Sequence, residues 1–191
     1  MNIAVFASHN GSGLQAIIDA CNENRLDAKV CAVISNNSNS MALQRARDNN
    51  IPAYHFSQKL ISDPQALDKA ILDTLTQCNA QLIFLAGYLK KLGPYVLETF
   101  ENRVFNIHPS LLPKHGGKGM YGINVHTAVI EAGDTETGIT IHCVNAKYDE
   151  GAIIAQRRVP VLPGDTPEIL AARVLKEEHV FLVETLADII R

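Results

Sequence analysis

"NIAVFASHNGSGLQAIIDACNEN", residues 2–24, is the stretch whose reading decides the fold. "NIAVFAS" is a short apolar run, and "HNGSG" (9–13) is a turn. "LQAIIDACNEN" then repeats its apolar residues at helical spacing. A buried strand that breaks at glycines and opens a helix is the first half of a βαβ unit. The turn also lies where backbone N–H groups and the helix dipole favour an anion. It is neither GxGxxG nor a lysine-bearing phosphate loop, so by itself it indicates phosphate binding only in general terms.

Working outward, the alternation repeats. "AKVCAVIS" (28–35) is a second buried strand and "SMALQRARDNN" (40–50) a second helix. "IPAYHF" (51–56) is a short third strand. "DPQALDKAILDTLTQCN" (63–79) is a helix with Asp63 as its cap and Pro64 in the first position, where a missing N–H costs least. "QLIFLAGY" (81–88) is continuously apolar, as a parallel strand covered on both faces must be. A helix at "PYVLETF" (94–100) leads to a fifth strand, "RVFNIH" (103–108). This order predicts an α/β, Rossmann-like, mostly parallel sheet with helices on both faces. "TGITIHCVN" (137–145) and "GAIIAQRRVPV" (151–161) form a C-terminal strand pair free to run antiparallel across the turn "AKYDEG". Pro160 suits an edge or a strand end. Between these halves, "KHGGKGMYG" (114–122) holds four glycines and reads as a functional loop. "NVHTAVIEAG" follows as a helix closed by Gly133, and a final helix starts at "DTPE", capped by Asp165 or Thr166.

A chain of 191 residues with 47% hydrophobic and 19% charged residues is expected to form one domain, 1–191, with a real core. The net charge of −3, without long runs of one sign, speaks against a non-specific nucleic-acid binder. No apolar stretch approaches a membrane span, and the N-terminus enters a strand pattern directly. The four scattered cysteines read as reduced core residues, and a cytoplasmic protein is expected.

"HNGSG", "AGYLKK" and "NIHPSLLP" all fall at carboxyl ends of strands, where ligands gather in such sheets. Asn106 and His108 are two apart on a strand and so project from one face, with Ile107 in the opposite layer. An amide donor beside an imidazole suits an oxygen that becomes negative in a transition state. The alternative is a turn-forming asparagine and a surface histidine. His115, His126 and His142 form no HxH or HxxxH pair and no cysteine stands at zinc spacing, so no metal site is expected. Asp149 reads as either a solvated hairpin acid or a site carboxylate. Glu178 falls on the stripe of Ala171, Val174, Leu175, Leu182 and Ile189, where a carboxylate needs a partner or an opening.

Together "NIAVFASHNGSGLQAII", "LIFLAGYLKKL", "NIHPSLLP", "TGITIHCVNAKYDEGAIIAQ" and "ARVLKEEH" resemble the folate-dependent formyltransferases over nearly the whole chain. The glycine turn and "EEH" favour the branch acting on glycinamide ribonucleotide in purine synthesis. The resemblance implies 10-formyltetrahydrofolate as cosubstrate and Asn106, His108 and Asp149 as the catalytic trio. It further implies Gly11, Ser12 and Gly13 at the ribonucleotide phosphate and Glu178 at its ribose. Leu89, Lys90, Leu92, Asn145, Tyr148 and Asp149 would line the folate pocket. Departures from the family pattern are His9 and Gly13 in the first turn, Lys90 where arginine is common, and a longer loop at 115–122. Three other readings stay open. One is transfer to another amine such as an amino-sugar nucleotide, whose enzymes usually carry further C-terminal sequence. Another is formyltetrahydrofolate hydrolysis, usually with an added N-terminal regulatory domain. The third is a non-catalytic nucleotide-phosphate binding module. Oligomeric state is not readable.

Overall fold

The computed structural model describes residues 1–191. Its strands are β1 (Asn2–Phe6), β2 (Lys29–Ser35), β3 (Ala53–His55), β4 (Leu82–Leu85), β5 (Val104–His108), β6 (Glu136–Cys143) and β7 (Ile153–Pro160). The helices are α1 (Ser12–Asn22), α2 (Met41–Asp48), α3 (Pro64–Gln77), α4 (Pro94–Thr99), α5 (Ile123–Glu131) and α6 (Pro167–Ile190). All strands join one sheet in the order β3-β2-β1-β4-β5-β6-β7. β1 to β5 pair in parallel, whereas β5–β6 and β6–β7 are antiparallel. The predicted architecture is therefore observed, including the antiparallel C-terminal pair.

Strand alternation builds two packing layers. Ile3 and Val5 of β1 enter a 27-residue cluster with α1, α2 and α6, while Ala4 and Phe6 enter a 13-residue cluster with α3 and α4. On β5, Phe105 and Ile107 fall in the first cluster and Val104 in the second. Asn106 and His108 thus share Val104's face at the strand's carboxyl end. The chain runs outward from β1 to β2 and β3, then returns to β4 on the other side of β1. That reversal opens a crevice at the carboxyl ends of β1 and β4. Ser8 N–H donates to the Gly87 carbonyl at 3.0 Å, and Ser8 Oγ accepts from Leu89 N–H at 2.8 Å, tying the two post-strand turns together.

Local signals act as read. Asp63 accepts from the N–H groups of Gln65 and Ala66, with Pro64 in the first turn of α3. Pro160 ends β7, the sheet edge. Thr166, and not Asp165, caps α6, accepting from Ile169 N–H at 3.3 Å. Asp165 is engaged by Arg173 and Leu162 N–H instead. Of the four free cysteines Cys31 is buried in the core, and Cys21, Cys78 and Cys143 are half-buried and packed against it. No disulfide is present. No helix is long and apolar enough to cross a membrane.

One buried carboxylate escaped the sequence reading. Asp68 on α3 accepts from Tyr95 N–H at 2.7 Å and Val96 N–H at 3.4 Å, capping α4 from a neighbouring helix. A six-residue helix has too few internal bonds to stand alone, so this acceptor at its positive end holds it in place.

Candidate active site

A cavity of about 740 Å³ lies beside the carboxyl ends of β4 and β5. Its size suits a small-molecule ligand. Asn106, His108, Asp149 and Glu178 all line it, as do Leu89, Lys90, Leu92, Asn145 and Tyr148. With Gly117–Gly122 of the glycine-rich loop also in the wall, five separate segments of sequence converge on one space.

β5 supplies Asn106 and His108. His108 is buried, which sets aside the surface-histidine alternative. Its Nε2 lies 2.9 Å from the His115 carbonyl and must donate to it, since a carbonyl only accepts. Its Nδ1 faces Asp149 Oδ2 at 3.7 Å, close enough for charge interaction but too far for a direct hydrogen bond. Burial lowers the His108 pKa, and the opposing pull of Asp149 does not restore it. The expectation that Asp149 would favour the imidazolium has the right sign, but desolvation wins, so the resting ring is held neutral.

Asp149 stands in the turn between β6 and β7 with φ 54, a left-handed conformation that aspartate tolerates. Burial pushes its carboxyl up, yet the His142 imidazole, Gly117 N–H and His108 together bring it below the ordinary range. The Gly117 bond is 2.8 Å, so the glycine-rich loop ends directly on the carboxylate. Asp149 is a held, ionised group and not a solvated hairpin acid. The same turn is anchored to the segment after β4. Lys91 Nζ donates to the Ala146 carbonyl at 3.0 Å and sits 4.4 Å from the Tyr148 ring centroid. Asn145 Oδ1 accepts from Lys147 N–H at 2.8 Å, shaping the turn from within.

Glu178 reaches the cavity from mid-α6, next to Ala171, Val174 and Leu175. Burial alone raises its pKa to about 7. The expected stripe needs one correction. Val174 and Leu182 are core residues, but Leu175 is 41% exposed, forming cavity wall instead of interior.

Gly11, Ser12 and Gly13 stand at the start of α1, apart from the cavity wall; Ser12 instead borders a separate groove with Gln15 and Arg45. No side chain caps α1. Gly11 adopts φ 68, and an added Cβ would come within 2.8 Å of Ala42 Cβ, so the turn requires glycine twice over. Arg45 clasps this turn through Asn10 O at 2.8 Å and Asn10 Oδ1 at 3.2 Å.

In the sequence, His142 and His126 stand out only as possible metal ligands. The antiparallel register sets Asn106 opposite His142, and Asn106 Nδ2 lies 3.0 Å from His142 Nε2. His126 of α5 also borders the cavity, its pKa lowered by burial. No cluster of three metal-ligating side chains is assembled.

The sequence matches the family described as Formyl transferase over residues 1–186. It is 45% identical to a chloroplastic phosphoribosylglycinamide formyltransferase of Vigna unguiculata, covering 96% of this chain and 59% of that protein. It is 43% identical to the phosphoribosylglycinamide formyltransferase of Haemophilus influenzae, covering 93% of this chain and 81% of that one. The chain thus spans less than two thirds of the plant relative but most of the bacterial one. The fold is similar to the crystal structure of glycinamide ribonucleotide transformylase 1 from Geobacillus kaustophilus, with TM-score 0.93, 36% identity, and coverage of 100% and 98% of the two chains. A formyltetrahydrofolate deformylase from Pseudomonas syringae shares the fold at TM-score 0.86 with 24% identity, over 99% of this chain and 61% of that one.

Proposed function

The chain belongs to the formyl transferase family, and from that premise we propose that it transfers a formyl group from 10-formyltetrahydrofolate to the amine of glycinamide ribonucleotide. The observation that carries the reading is the convergence of Asn106, His108 and Asp149 on one cavity that Glu178 also enters. In this reading residues 1–191 act as one cytoplasmic formyltransferase domain on small molecules, and no metal takes part.

Attack of the amine on the formyl carbon forms a C–N bond and places negative charge on the formyl oxygen. Asn106 Nδ2 donates a hydrogen bond to that oxygen. His108 can add a second only through Nδ1, because Nε2 is committed to the His115 carbonyl. Nδ1 donates only when protonated. The resting imidazole is neutral, so the proton must arrive during the reaction. Asp149, ionised and 3.7 Å from Nδ1, receives the amine proton directly or through water and shares it with His108. Donor strength at the oxyanion thus rises as the charge develops, where stabilisation speeds reaction most. The proton leaves with the folate nitrogen as the old C–N bond breaks. Leu89, Lys90 and Leu92 with Asn145 and Tyr148 hold the folate, Glu178 accepts from ribose hydroxyls, and the start of α1 at Gly11–Gly13 receives the phosphate.

Asn106→Ala and His108→Ala should each lower turnover by about 10² to 10³ with folding retained, the usual loss for one positioned oxyanion donor. Near-normal turnover in either removes that residue from the reaction. Folate product formed equally well without any amine would favour the hydrolase reading instead.

A further inference from the structure

We propose that His142 is a positioning residue whose ring is locked with its proton on Nδ1, and that this lock orients the Asn106 amide. The inference rests on the reading of Asn106 as the oxyanion donor. His142 Nδ1 lies 2.8 Å from the carbonyl oxygen of its neighbour Cys143. A carbonyl cannot donate, so Nδ1 must carry a proton. In the neutral ring Nε2 is then a bare acceptor. It faces Asn106 Nδ2 at 3.0 Å, and an amide nitrogen can only donate. The chain of roles runs one way, from the Cys143 carbonyl through the imidazole to the amide. One Nδ2 hydrogen is held on His142, and the other is left for the cavity.

A competing pull is present. Asp149 Oδ1 lies 3.6 Å from His142 Nε2 and would attract a proton to that nitrogen. With Nε2 protonated, Asn106 would have to turn its oxygen toward the ring, and its donor would leave its place. The two contacts that require the Nδ1–H ring, at 2.8 and 3.0 Å, are within hydrogen-bond range, and the Asp149 contact is not. Geometry therefore favours the lock.

Gly151 guards the same carbonyl. A Cβ there would collide with Cys143 O and come within 2.7 Å of Cys143 C, with His142 Nδ1 at 3.5 Å. The glycine lets the chain pass close over the acceptor that fixes the tautomer, and any side chain must push that acceptor away. Residue 151 is thereby linked to Asn106 without touching it.

Nitrogen-15 NMR of the wild-type protein, labelled on histidine, reads the tautomer directly. The expected result is a proton on His142 Nδ1 and none on Nε2 near pH 7.5. A proton on Nε2, or on both nitrogens, overturns the proposal. Kinetics give a second arm. His142→Ala should lower kcat by roughly tenfold, less than loss of the donor itself, with KM for both substrates unchanged. His142→Gln should recover most of that loss, because a Gln oxygen can accept from Asn106 in place of Nε2. Gly151→Ala should shift the His142 signals toward a tautomer mixture and lower kcat in parallel. An Ala variant with wild-type kcat, or a Gln variant no better than Ala, also overturns it. If Asn106→Ala retains full turnover while the Nδ1–H signature is present, the catalytic reading fails and the lock stands.

Discussion

Two carboxylates enter the cavity from opposite kinds of structure, and their surroundings drive them in opposite directions. Asp149 sits in a turn, contacted by Gly117 N–H, His108 and His142, and is held below the ordinary carboxyl range despite burial. Glu178 sits mid-helix, where burial acts alone and raises it to about 7. A carboxylate whose partners come from the protein is ready to act before ligand arrives. One without such partners would, in the proposed reading, be completed by the ligand. The contrast separates a group suited to moving protons from one suited to recognising hydroxyls.

The largest effect should come from erasing Asp149's charge. Asp149→Asn keeps the shape and the Gly117 contact but removes the proton acceptor, so kcat should fall by about 10³, within the usual 10²–10⁴ range for a general base. Single-turnover measurement with both substrates saturating checks this. Loss confined to KM would place Asp149 among binding groups and collapse the contrast.

Glu178 should show the opposite balance, with stability gained as recognition is lost. Its folded pKa of about 7 lies above the unfolded value of 4.5. The folded protein therefore holds the proton more tightly between those values. The stabilisation is fully present below pH 4.5 and is lost as pH rises through 7, on the order of 3 kcal/mol at most. Glu178→Gln cannot ionise and should be more stable than wild type at pH 8 by up to that amount, with the difference shrinking toward pH 5. Denaturant melts at the two pH values decide it, and a constant difference would refute the assigned burial effect. The same variant should lower kcat/KM for the ribonucleotide by about one to two powers of ten, as a charge-assisted hydrogen bond weakens, with folate affinity little changed. An equal loss for both substrates would place Glu178 away from the ribose.

The contrast also marks how far the sequence could be read. β1, β2 and β4 announce themselves because strands buried on both faces must be continuously apolar. Asn106 and His108 share a face because strand periodicity is two and nothing in the fold alters it. Glu178 was legible as an anomaly, a charge on an apolar stripe, and Leu175 beside it shows the stripe opening into a cavity. Contacts set by register were hidden. Nothing in "TGITIHCVN" says that His142 will lie opposite Asn106, because antiparallel pairing of β5 with β6 can be shifted without changing either strand's pattern. The signal lay in a buried imidazole on a strand that also carries Thr137 and Thr140, and its partner could be named only once the pairing was known. Asp68 was hidden for a similar reason: it caps a helix other than its own.

The smallest effect tests whether the helix beneath Glu178 contributes by position or merely by stability. Thr166 caps α6 by accepting from Ile169 N–H at 3.3 Å, twelve residues before Glu178 and outside the cavity wall. Thr166→Ala leaves that donor to water and should destabilise the protein by about 1 kcal/mol. The 24-residue helix packs Leu170, Val174 and Leu182 into the core, and these contacts fix its place after the cap is gone. Fraying should stop within the first turn, so kcat/KM for the ribonucleotide should stay within about twofold of wild type. A stability loss with unchanged kinetics means that Glu178 is positioned by packing. A parallel fall in kcat/KM would mean that the recognition carboxylate depends on its helix terminus, and its difference from loop-held Asp149 would then be one of degree.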